Sequence, residues 1–430
     1  MTNPFFETWD TPFGVPPFDA IETGHFAPAY KEALAQHAGE IAQIAGNSEA
    51  PSFDNTIAAL ELAGRPLRRV DMVFSQLAGA NTNAELQAVE RDMAPVVTRH
   101  WNDIFLNAKL FARIDRLHRE RDRLGLDAEQ RRVLERYHLD FVRAGAQLTN
   151  AQRARYAEIS ERLAVLATEF AQNVLGDENE VVFALTEAEV DGLPSDAKAA
   201  AAELARDRKL NAPYAASTSR SSVEPVLRHA NDRSVREKIW RAFVSRGRNG
   251  NAHDNRKIIA EIVALRTELA GLLGYATYAD YKLADTMAKT PEAAQTLLEQ
   301  VWVRGRARAE ADAQALQGLM DAEGASASLE PWDWRYYAEK LRLARYDFDE
   351  SAIKPYLELD RVIDAAFYTA GRLFGVSFTP RPDIVGYHPD VRVWTVELGG
   401  KTIGLFYGDY FARPGKRSGA WMTSFRDQQK

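Results

Sequence analysis

The sequence predicts a mainly α-helical protein with a small β-hairpin or sheet near its C-terminus. Three observations lead to this fold class: apolar residues recur at helical spacing through most of the chain, helix-start residues precede several of these segments, and strand signals are few. The chain has 430 residues, of which 46% are hydrophobic, which is enough for several domain-sized units with a large buried core.

The clearest helix signal is the segment LTNAQRARYAEISERLAVLATEFAQNVL. Its apolar side chains fall at alternating steps of three and four positions, so they form one continuous stripe on a helix. The stripe consists of Tyr156, Ile159, Leu163, Leu166, Phe170 and Val174. Thr149 and Gln152 have the spacing of a capping box, which satisfies free amides at a helix start. We therefore expect a long helix that packs against other helices.

Further helix starts can be recognised where a capping residue precedes a periodic apolar segment. These capping residues are Asp127, Asn231, Thr290 and Asp349. Pro291 follows Thr290, and proline is favourable at a first helical position because its missing amide would have no partner there. The helix after Asp349 is expected to end at Gly375.

Strand signals are confined to two regions. The run VVFAL (181–185) is short and isolated, whereas the segment 391–411 has β-rich runs on both sides of Gly399 and Gly400. Two glycines between such runs are typical of a hairpin turn. Because a lone hairpin is marginal in water, we expect further strands or a covering helix, and we interpret the hairpin as the start of an incomplete sheet.

Composition excludes several classes of protein. The net charge is −7 and the pI is near 5.8, which argues against general binding to nucleic acid or to anionic membranes. No apolar run approaches the length of a membrane helix, and the N-terminus lacks the pattern of a signal peptide. We expect a soluble, cytoplasmic protein.

No active-site motif is evident from the residue types and their spacing. Cysteine is absent, and no two of the eight histidines stand three to five residues apart, so H-E-x-x-H does not occur. His100 with Asp103, and His229 with Asp232, are more typical of surface hydrogen bonds than of metal ligands.

The loop SRGRNGN (245–251) is interpreted as a helix ending. The basic runs RLHRERDRLG and RPGKR are interpreted as solvated, and WDWRYY (332–337) as core in preference to a ligand shelf.

Several long stretches nevertheless resemble one family. They are TPFGVPPFDAIETGHFAPAYKEAL near the N-terminus, LLGYATYADYKLADTMAKTPEAA (272–294), PWDWRYYAEKLRLARYDFDESAIKPYLELDRV (331–362) and GLFYGDYFARPGKRSGAWMTSFRDQQK (404–430). Together they resemble the thimet-oligopeptidase-like zinc metallopeptidases. The last stretch resembles the peptidyl-dipeptidase (dipeptidyl carboxypeptidase) branch in particular.

The resemblance implies a helical, two-lobed, zincin-like peptidase with a deep channel that admits short peptides. On this basis residues 1–180 are expected to form an N-terminal helical lobe and residues 181–390 a helical body that lines the channel. Residues 391–430 are expected to begin the sheet of the catalytic module. The resemblance further implies short peptide substrates, release of C-terminal dipeptides, and a monomer at full length, with no nucleic-acid or membrane partner.

The resemblance also implies one zinc ion, held by the histidines of H-E-x-x-H and a later glutamate. In the family that motif follows the block with which this sequence ends, so no residue here can be assigned as catalytic or as a metal ligand. We therefore expect a truncated chain that is inactive alone. One alternative is a complete, non-catalytic helical module that binds peptides or a partner protein. Another is that a separate chain supplies the zinc-binding half.

The resemblance leaves one candidate for substrate contact, the segment SGAWM. Such peptidases pair an extended substrate with an edge strand, and Gly419 and Ala420 would let a peptide backbone approach closely. Trp421 could form the wall of a subsite. The alternative, that Trp421 is part of the core of the sheet, is equally compatible with the sequence.

Overall fold

The computed structural model describes residues 3–347 and 350–426, which form a largely helical fold. The helices of the first part are α1 (Phe26–Gly46), α2 (Ala59–Leu62), α3 (Arg65–Ala80), α4 (Ala84–Phe105), α5 (Ala108–Glu120), α6 (Ala128–Arg143) and α7 (Asn150–Glu180). A π-helical turn at Phe53–Ala58 leads into α2. The long helix α7 packs against α4.

A two-stranded antiparallel sheet and further helices follow. The strands are β1 (Val182–Leu185) and β2 (Tyr214–Ser217). The helices are α8 (Ser195–Asp207), α9 (Arg220–His229), α10 (Arg233–Val244), α11 (Arg256–Leu272), α12 (Tyr278–Leu283), α13 (Pro291–Ala322), α14 (Trp334–Tyr346), α15 (Glu350–Ile353) and α16 (Leu359–Phe374). Helix α11 returns to pack on α7, which connects the second part of the chain to the first.

The second sheet has three antiparallel strands in the order β3-β4-β5, formed by β3 (Val376–Pro380), β4 (Arg392–Leu398) and β5 (Lys401–Gly408). The predicted hairpin is confirmed, and Gly399 and Gly400 both adopt the positive φ that its turn requires. Strand β3 was not predicted. It completes the sheet, and Phe367 of α16 stacks on Phe378 at 3.9 Å between ring centroids. The hairpin therefore has the third strand and the covering helix that it needs, and it does not by itself indicate an incomplete sheet.

The local helix signals are largely confirmed. Thr149 and Gln152 form a reciprocal capping box at the start of α7, and Asp127 and Thr290 cap α6 and α13. The cap of α10 is Asp232, one residue beyond the predicted Asn231. Within the predicted stripe of α7, Ile159 and Leu166 are fully buried, but Phe170 is partly exposed.

One helix prediction is corrected. The segment expected to run unbroken to Gly375 is interrupted by a 3₁₀ turn at Lys354–Tyr356, and α16 begins only at Leu359. Pro355 lies in this turn, and proline removes an amide donor and clashes with the preceding helical turn. Gly375 ends α16 with φ of 71°, as predicted. Asp349 lies outside the described residues.

Separate apolar clusters form the core. One joins α1 and α3 to the N-terminal segment, a second joins α1 to α5 and α6, and a third joins the β1–β2 sheet to α9 and α10. The expected division at residues 180 and 390 stays a prediction. Among the helices of residues 3–347 and 350–426, none combines the length and the hydrophobicity of a membrane-spanning segment.

Large apolar side chains remain exposed on two helices and on the three-stranded sheet. They include Leu297, Leu298, Val301, Trp302 and Val303 of α13, Tyr368, Leu373 and Phe374 of α16, and Ile403 of β5. The five on α13 lie within seven positions of one helix, and exposed apolar clusters of this kind often mark an interaction surface.

Candidate substrate-binding segment

The predicted contact residues lie in the irregular segment that follows β5. Gly419, Ala420 and Trp421 are all exposed, and Gly419 has a φ of 118°, a conformation that favours glycine. No strand is assigned to residues 409–426, so the expected edge strand is not formed in this structure. We call residues 409–417 the docking loop and residues 419–421 the candidate substrate edge.

The docking loop is attached to the C-terminal end of α3 by two backbone hydrogen bonds. The amide of Thr82 donates to the carbonyl of Gly415 at 2.8 Å, and the amide of Arg417 donates to the carbonyl of Gly79 at 2.9 Å. Gly415 is required by this approach, because a Cβ at that position would lie 2.6 Å from the Thr82 carbonyl oxygen. The loop thereby joins the end of the sheet to the N-terminal helices.

The carboxylate of Asp409 is the centre of the polar contacts in the docking loop. Arg413 donates to it through both terminal nitrogens, at 2.8 and 2.7 Å, and the Lys416 ammonium lies 3.0 Å from it. The Tyr387 hydroxyl donates to it at 2.8 Å. Burial alone would raise the pKa of Asp409, but these hydrogen bonds outweigh burial and lower that pKa to about 2.

Two side chains at the C-terminal end of α3 bind Tyr387, the residue that donates to Asp409. The amide of Gln76 donates to the Tyr387 hydroxyl at 3.1 Å, and the amide of Asn81 donates to the Tyr387 carbonyl at 3.1 Å. Arg413 also donates to the carbonyl of Ala80. Burial, together with the bond to Asp409, raises the pKa of Tyr387, so its hydroxyl remains a donor at neutral pH.

An aromatic cluster holds the other end of the segment. Phe425 packs edge-on against Phe18 and Tyr387, with centroid separations of 5.3 and 6.3 Å, and against Tyr407 of β5 at 5.4 Å. Burial raises the pKa of Tyr407 to about 12. The candidate substrate edge is therefore fixed on both sides, by the docking loop before it and by Phe425 after it.

Trp421 lies on the surface beside this framework. Its side chain is 44% exposed, so it is not part of the core of the sheet. One edge of its ring faces Gly79, where an added Cβ would be 3.9 Å from the indole, and the Lys416 ammonium lies 5.9 Å from the ring centroid. The exposed indole can provide apolar contact to a ligand, whereas Gly419 and Ala420 leave space next to the backbone.

The other sequence candidates are structural. In WDWRYY, Trp332 and Tyr337 are buried, and Asp333 is fully buried between Arg233 and Arg236. A shallow groove of about 620 Å³ lies beside Trp334. The segment is therefore mostly core, as the sequence favoured.

The loop SRGRNGN folds around a buried carboxylate. Asp177 of α7 accepts hydrogen bonds from the Gly247 amide and from the side chains of Asn249 and Asn251. The Gly247 amide and the two asparagines thus hold the loop against α7, in agreement with a helix-ending loop.

The histidine and arginine candidates also have protein partners. His100 is buried and hydrogen-bonds to His37 at 2.9 Å, so the expected surface hydrogen bond at His100 is wrong. Asp232 caps α10. In the basic run RLHRERDRLG, Arg119 pairs with Asp115 and Arg116 pairs with Glu120. The expectation that RPGKR is solvated is wrong for Arg413 and Lys416, whose side chains are only 11% exposed.

The residues that the structure describes provide no binding site for zinc. Within residues 3–347 and 350–426, the His, Asp and Glu side chains form no group of three that could hold a metal ion. No residue of this chain is therefore assigned to a metal, and no chemical step through a metal is derived.

Comparisons with known proteins identify the class of the chain. Residues 226–430 match peptidase family M3. The chain is 40% identical over 429 residues to dipeptidyl carboxypeptidase of Escherichia coli (strain K12), which covers 99% of the chain and 63% of that relative. It is 30% identical over 436 residues to oligopeptidase A of Salmonella typhimurium, which covers all of the chain and 63% of that relative.

The chain is therefore similar along its length to the thimet-oligopeptidase-like peptidases of family M3. Its similarity to the dipeptidyl carboxypeptidase is higher than its similarity to oligopeptidase A. The chain spans less than two-thirds of the length of these relatives.

Residues 419–421 stay a predicted contact segment, whereas Asp409 and Tyr387 were not predicted at all. The order Asp409, Arg413, Lys416 places one acid before two bases within eight residues, and this local pattern could have indicated an ion-pair centre. Nothing in the sequence around Tyr387 indicates its contact with Gln76, which is 311 positions away along the chain.

Proposed function

We propose that the protein to which this chain belongs is a zinc-dependent peptidyl-dipeptidase that removes dipeptides from the C-terminus of short peptides. The observation that carries the proposal is the 40% identity to a dipeptidyl carboxypeptidase along 99% of the chain, compared with 30% to oligopeptidase A. Because the chain spans 63% of that relative, the activity is proposed for the whole protein. We further propose a cytoplasmic, monomeric enzyme.

In this proposal the chain forms part of the wall of the substrate channel. An extended peptide lies along residues 419–421 and pairs with their backbone, the mode called β-augmentation. Gly419 and Ala420 admit the peptide backbone, and Trp421 contacts one substrate side chain. The exposure of all three residues and their attachment at both ends support this role.

We assign the zinc ligands of the whole protein to residues outside this chain. The 430 residues alone are accordingly proposed to be inactive. The exposed apolar side chains of α13 and of α16 support this division, because a further part of the peptidase could cover them.

The same exposed side chains favour a second candidate function. A non-catalytic helical module would use the apolar side chains of α13 and α16, such as Leu298 and Trp302, to bind a partner protein. Such a module would act without further peptidase sequence and would hydrolyse nothing.

The two candidates are separated by comparing the 430-residue chain with the product of the complete reading frame that encodes it. Zinc content is measured by mass spectrometry of the metal, and released dipeptides are measured by liquid chromatography. We expect no stoichiometric zinc and no dipeptide with the chain alone, and both with the complete product. Zinc-dependent turnover by the chain alone would contradict the division, and an inactive complete product would favour the binding module.

A further inference from the structure

We propose that Asp409 is the positioning residue of the candidate substrate edge, and that it holds residues 419–421 in a binding geometry against the end of α3. This inference rests on the proposed function, since it assumes that the edge contacts peptide. Asp409 does not touch the edge itself, so its effect must pass through the docking loop.

The charges around Asp409 show why the loop depends on it. The Asp409 side chain is only 9% exposed, and those of Arg413 and Lys416 are 11% exposed. Two cations therefore share one carboxylate in a region with little water. Removing the negative charge would leave two partly buried positive charges without an anionic partner, which strongly destabilises such an arrangement.

The contacts of the docking loop connect this charge cluster to α3. Lys416 stands between Gly415 and Arg417, the two residues whose backbones bond to Thr82 and Gly79. The Lys416 ammonium also donates to the carbonyls of Asp409 and Phe411. The bond between Lys416 and Asp409 therefore closes the loop at the place where the loop is attached to α3.

The same end of α3 contacts the candidate substrate edge. Gly79 accepts the hydrogen bond from Arg417, and it also lies beside the indole of Trp421. Lys416, in turn, lies over the Trp421 ring. A shift of the docking loop would therefore move the Trp421 ring and the two small residues before it.

A purely structural role of Asp409 would have a different signature. It would lower the stability of the fold and affect all parts of the protein alike, without a selective change at Trp421. A local spectroscopic probe at Trp421 distinguishes the two roles.

The experiment labels the chain with 5-fluorotryptophan and records ¹⁹F NMR spectra. The chain has 8 tryptophans, and the Trp421 signal is assigned from its loss in W421F. The variants are D409N, the milder Y387F, and the control D383N, in which a partly exposed aspartate loses its pair with Arg381. The ligand probe is N-acetyl-tetra-alanine, titrated into the millimolar range.

We expect D409N to shift or broaden the Trp421 signal while the other tryptophan signals stay in place. We expect its affinity for the probe to fall about tenfold, which corresponds to ~1.4 kcal/mol. Y387F should cause a smaller change in the same direction, and D383N should cause none.

The outcomes separate this inference from the proposed function. If the wild-type chain does not bind the probe but D409N still moves the Trp421 signal selectively, Asp409 positions the edge and the peptide-binding role of the edge is wrong. An unchanged Trp421 signal and unchanged affinity in folded D409N would overturn the inference. If D409N does not fold, the same unchanged result in Y387F would overturn it.

Discussion

His37 of α1 and His100 of α4 share a buried hydrogen bond of 2.9 Å between their ring nitrogens. One ring must donate and the other must accept, so at least one of the two is neutral. Burial lowers the pKa of both, and the charge of His100 further lowers the pKa of His37. Glu40 opposes the shift of His37, and Asp103 opposes that of His100, but the net direction is downward for both.

This pair should make the N-terminal helices sensitive to acid. The unfolded chain binds protons at the ordinary histidine pKa of about 6.5, whereas the folded pair binds them only at lower pH. The neutral pair therefore makes its full contribution to the free energy of unfolding above that pH, and this contribution is lost as the pH drops below it. We expect the Tm of wild type to fall between pH 7.5 and pH 5.5, and to fall less in the double variant H37Q/H100Q. An equal loss in both proteins would contradict the assignment.

Replacing Asp333 should strongly destabilise the second part of the chain. Its fully buried carboxylate accepts from Arg233 at 2.7 Å and from Arg236 at 3.0 Å, and Arg236 is itself buried. D333N leaves a buried guanidinium without its anion, which costs about 3–5 kcal/mol. Urea unfolding followed by circular dichroism measures the loss.

A matched control for D333N is E310Q. Glu310 pairs with Arg306 on the exposed side of α13, where an ion pair contributes only about 0.3–0.5 kcal/mol. If D333N cost no more than E310Q, the buried cluster would not be an important source of stability.

An alanine at Gly415 should release the docking loop. Its Cβ would approach the Thr82 carbonyl oxygen to 2.6 Å, so the backbone contact with α3 cannot persist unchanged. We expect about 1–3 kcal/mol of strain, the usual cost of overpacking. Trypsin should then cut more rapidly at Lys416 and Arg417.

Gly404 of β5 provides the comparison, because a Cβ there meets no atom within 4 Å. G404A should leave the tryptic cleavage at Lys416 and Arg417 at the wild-type rate. Equal rates in G415A and wild type would show that the loop is held without the close approach at Thr82.

Trp421→Ala should affect peptide binding more than stability. Nearly half of the side chain is exposed, so its removal deletes few core contacts. We expect a Tm within a few degrees of wild type and a clear loss of affinity for N-acetyl-tetra-alanine, measured by ¹⁹F NMR at the remaining tryptophans. W302A, on the exposed face of α13, serves as the control and should keep the affinity. A large fall in Tm with unchanged affinity would indicate that Trp421 stabilises the fold and does not contact peptide.

The sequence predicts best what is decided locally. The capping box of Thr149 and Gln152 and the left-handed end at Gly375 depend on residues within one helical turn, and both are confirmed. The break at Pro355 was missed because the surrounding apolar pattern continues through it. Strand β3 was missed because its short run pairs with residues some twenty positions away, where Val376 faces Leu398.

Identifying the candidate site depended on the family resemblance, and placing it in the molecule depended on the fold. The resemblance identified residues 419–421, but neither spacing nor composition could place them beside Gly79 of α3. Asp409 accepts hydrogen bonds from Arg413, four positions further along the chain, and from the distant Tyr387. Tyr387 in turn accepts a hydrogen bond from Gln76. Only the tertiary fold brings residues so far apart in the sequence together.

The position of the first bond that the complete protein cuts tests the proposed peptidyl-dipeptidase activity most directly. A hexapeptide of six different residues, acetylated at its N-terminus, is incubated with the product of the complete reading frame and with the 430-residue chain, and early products are sequenced by mass spectrometry. We expect the complete protein to release the C-terminal dipeptide first and the chain alone to release nothing. A first cut elsewhere in the peptide, or dipeptide release by the chain alone, would contradict the proposed function.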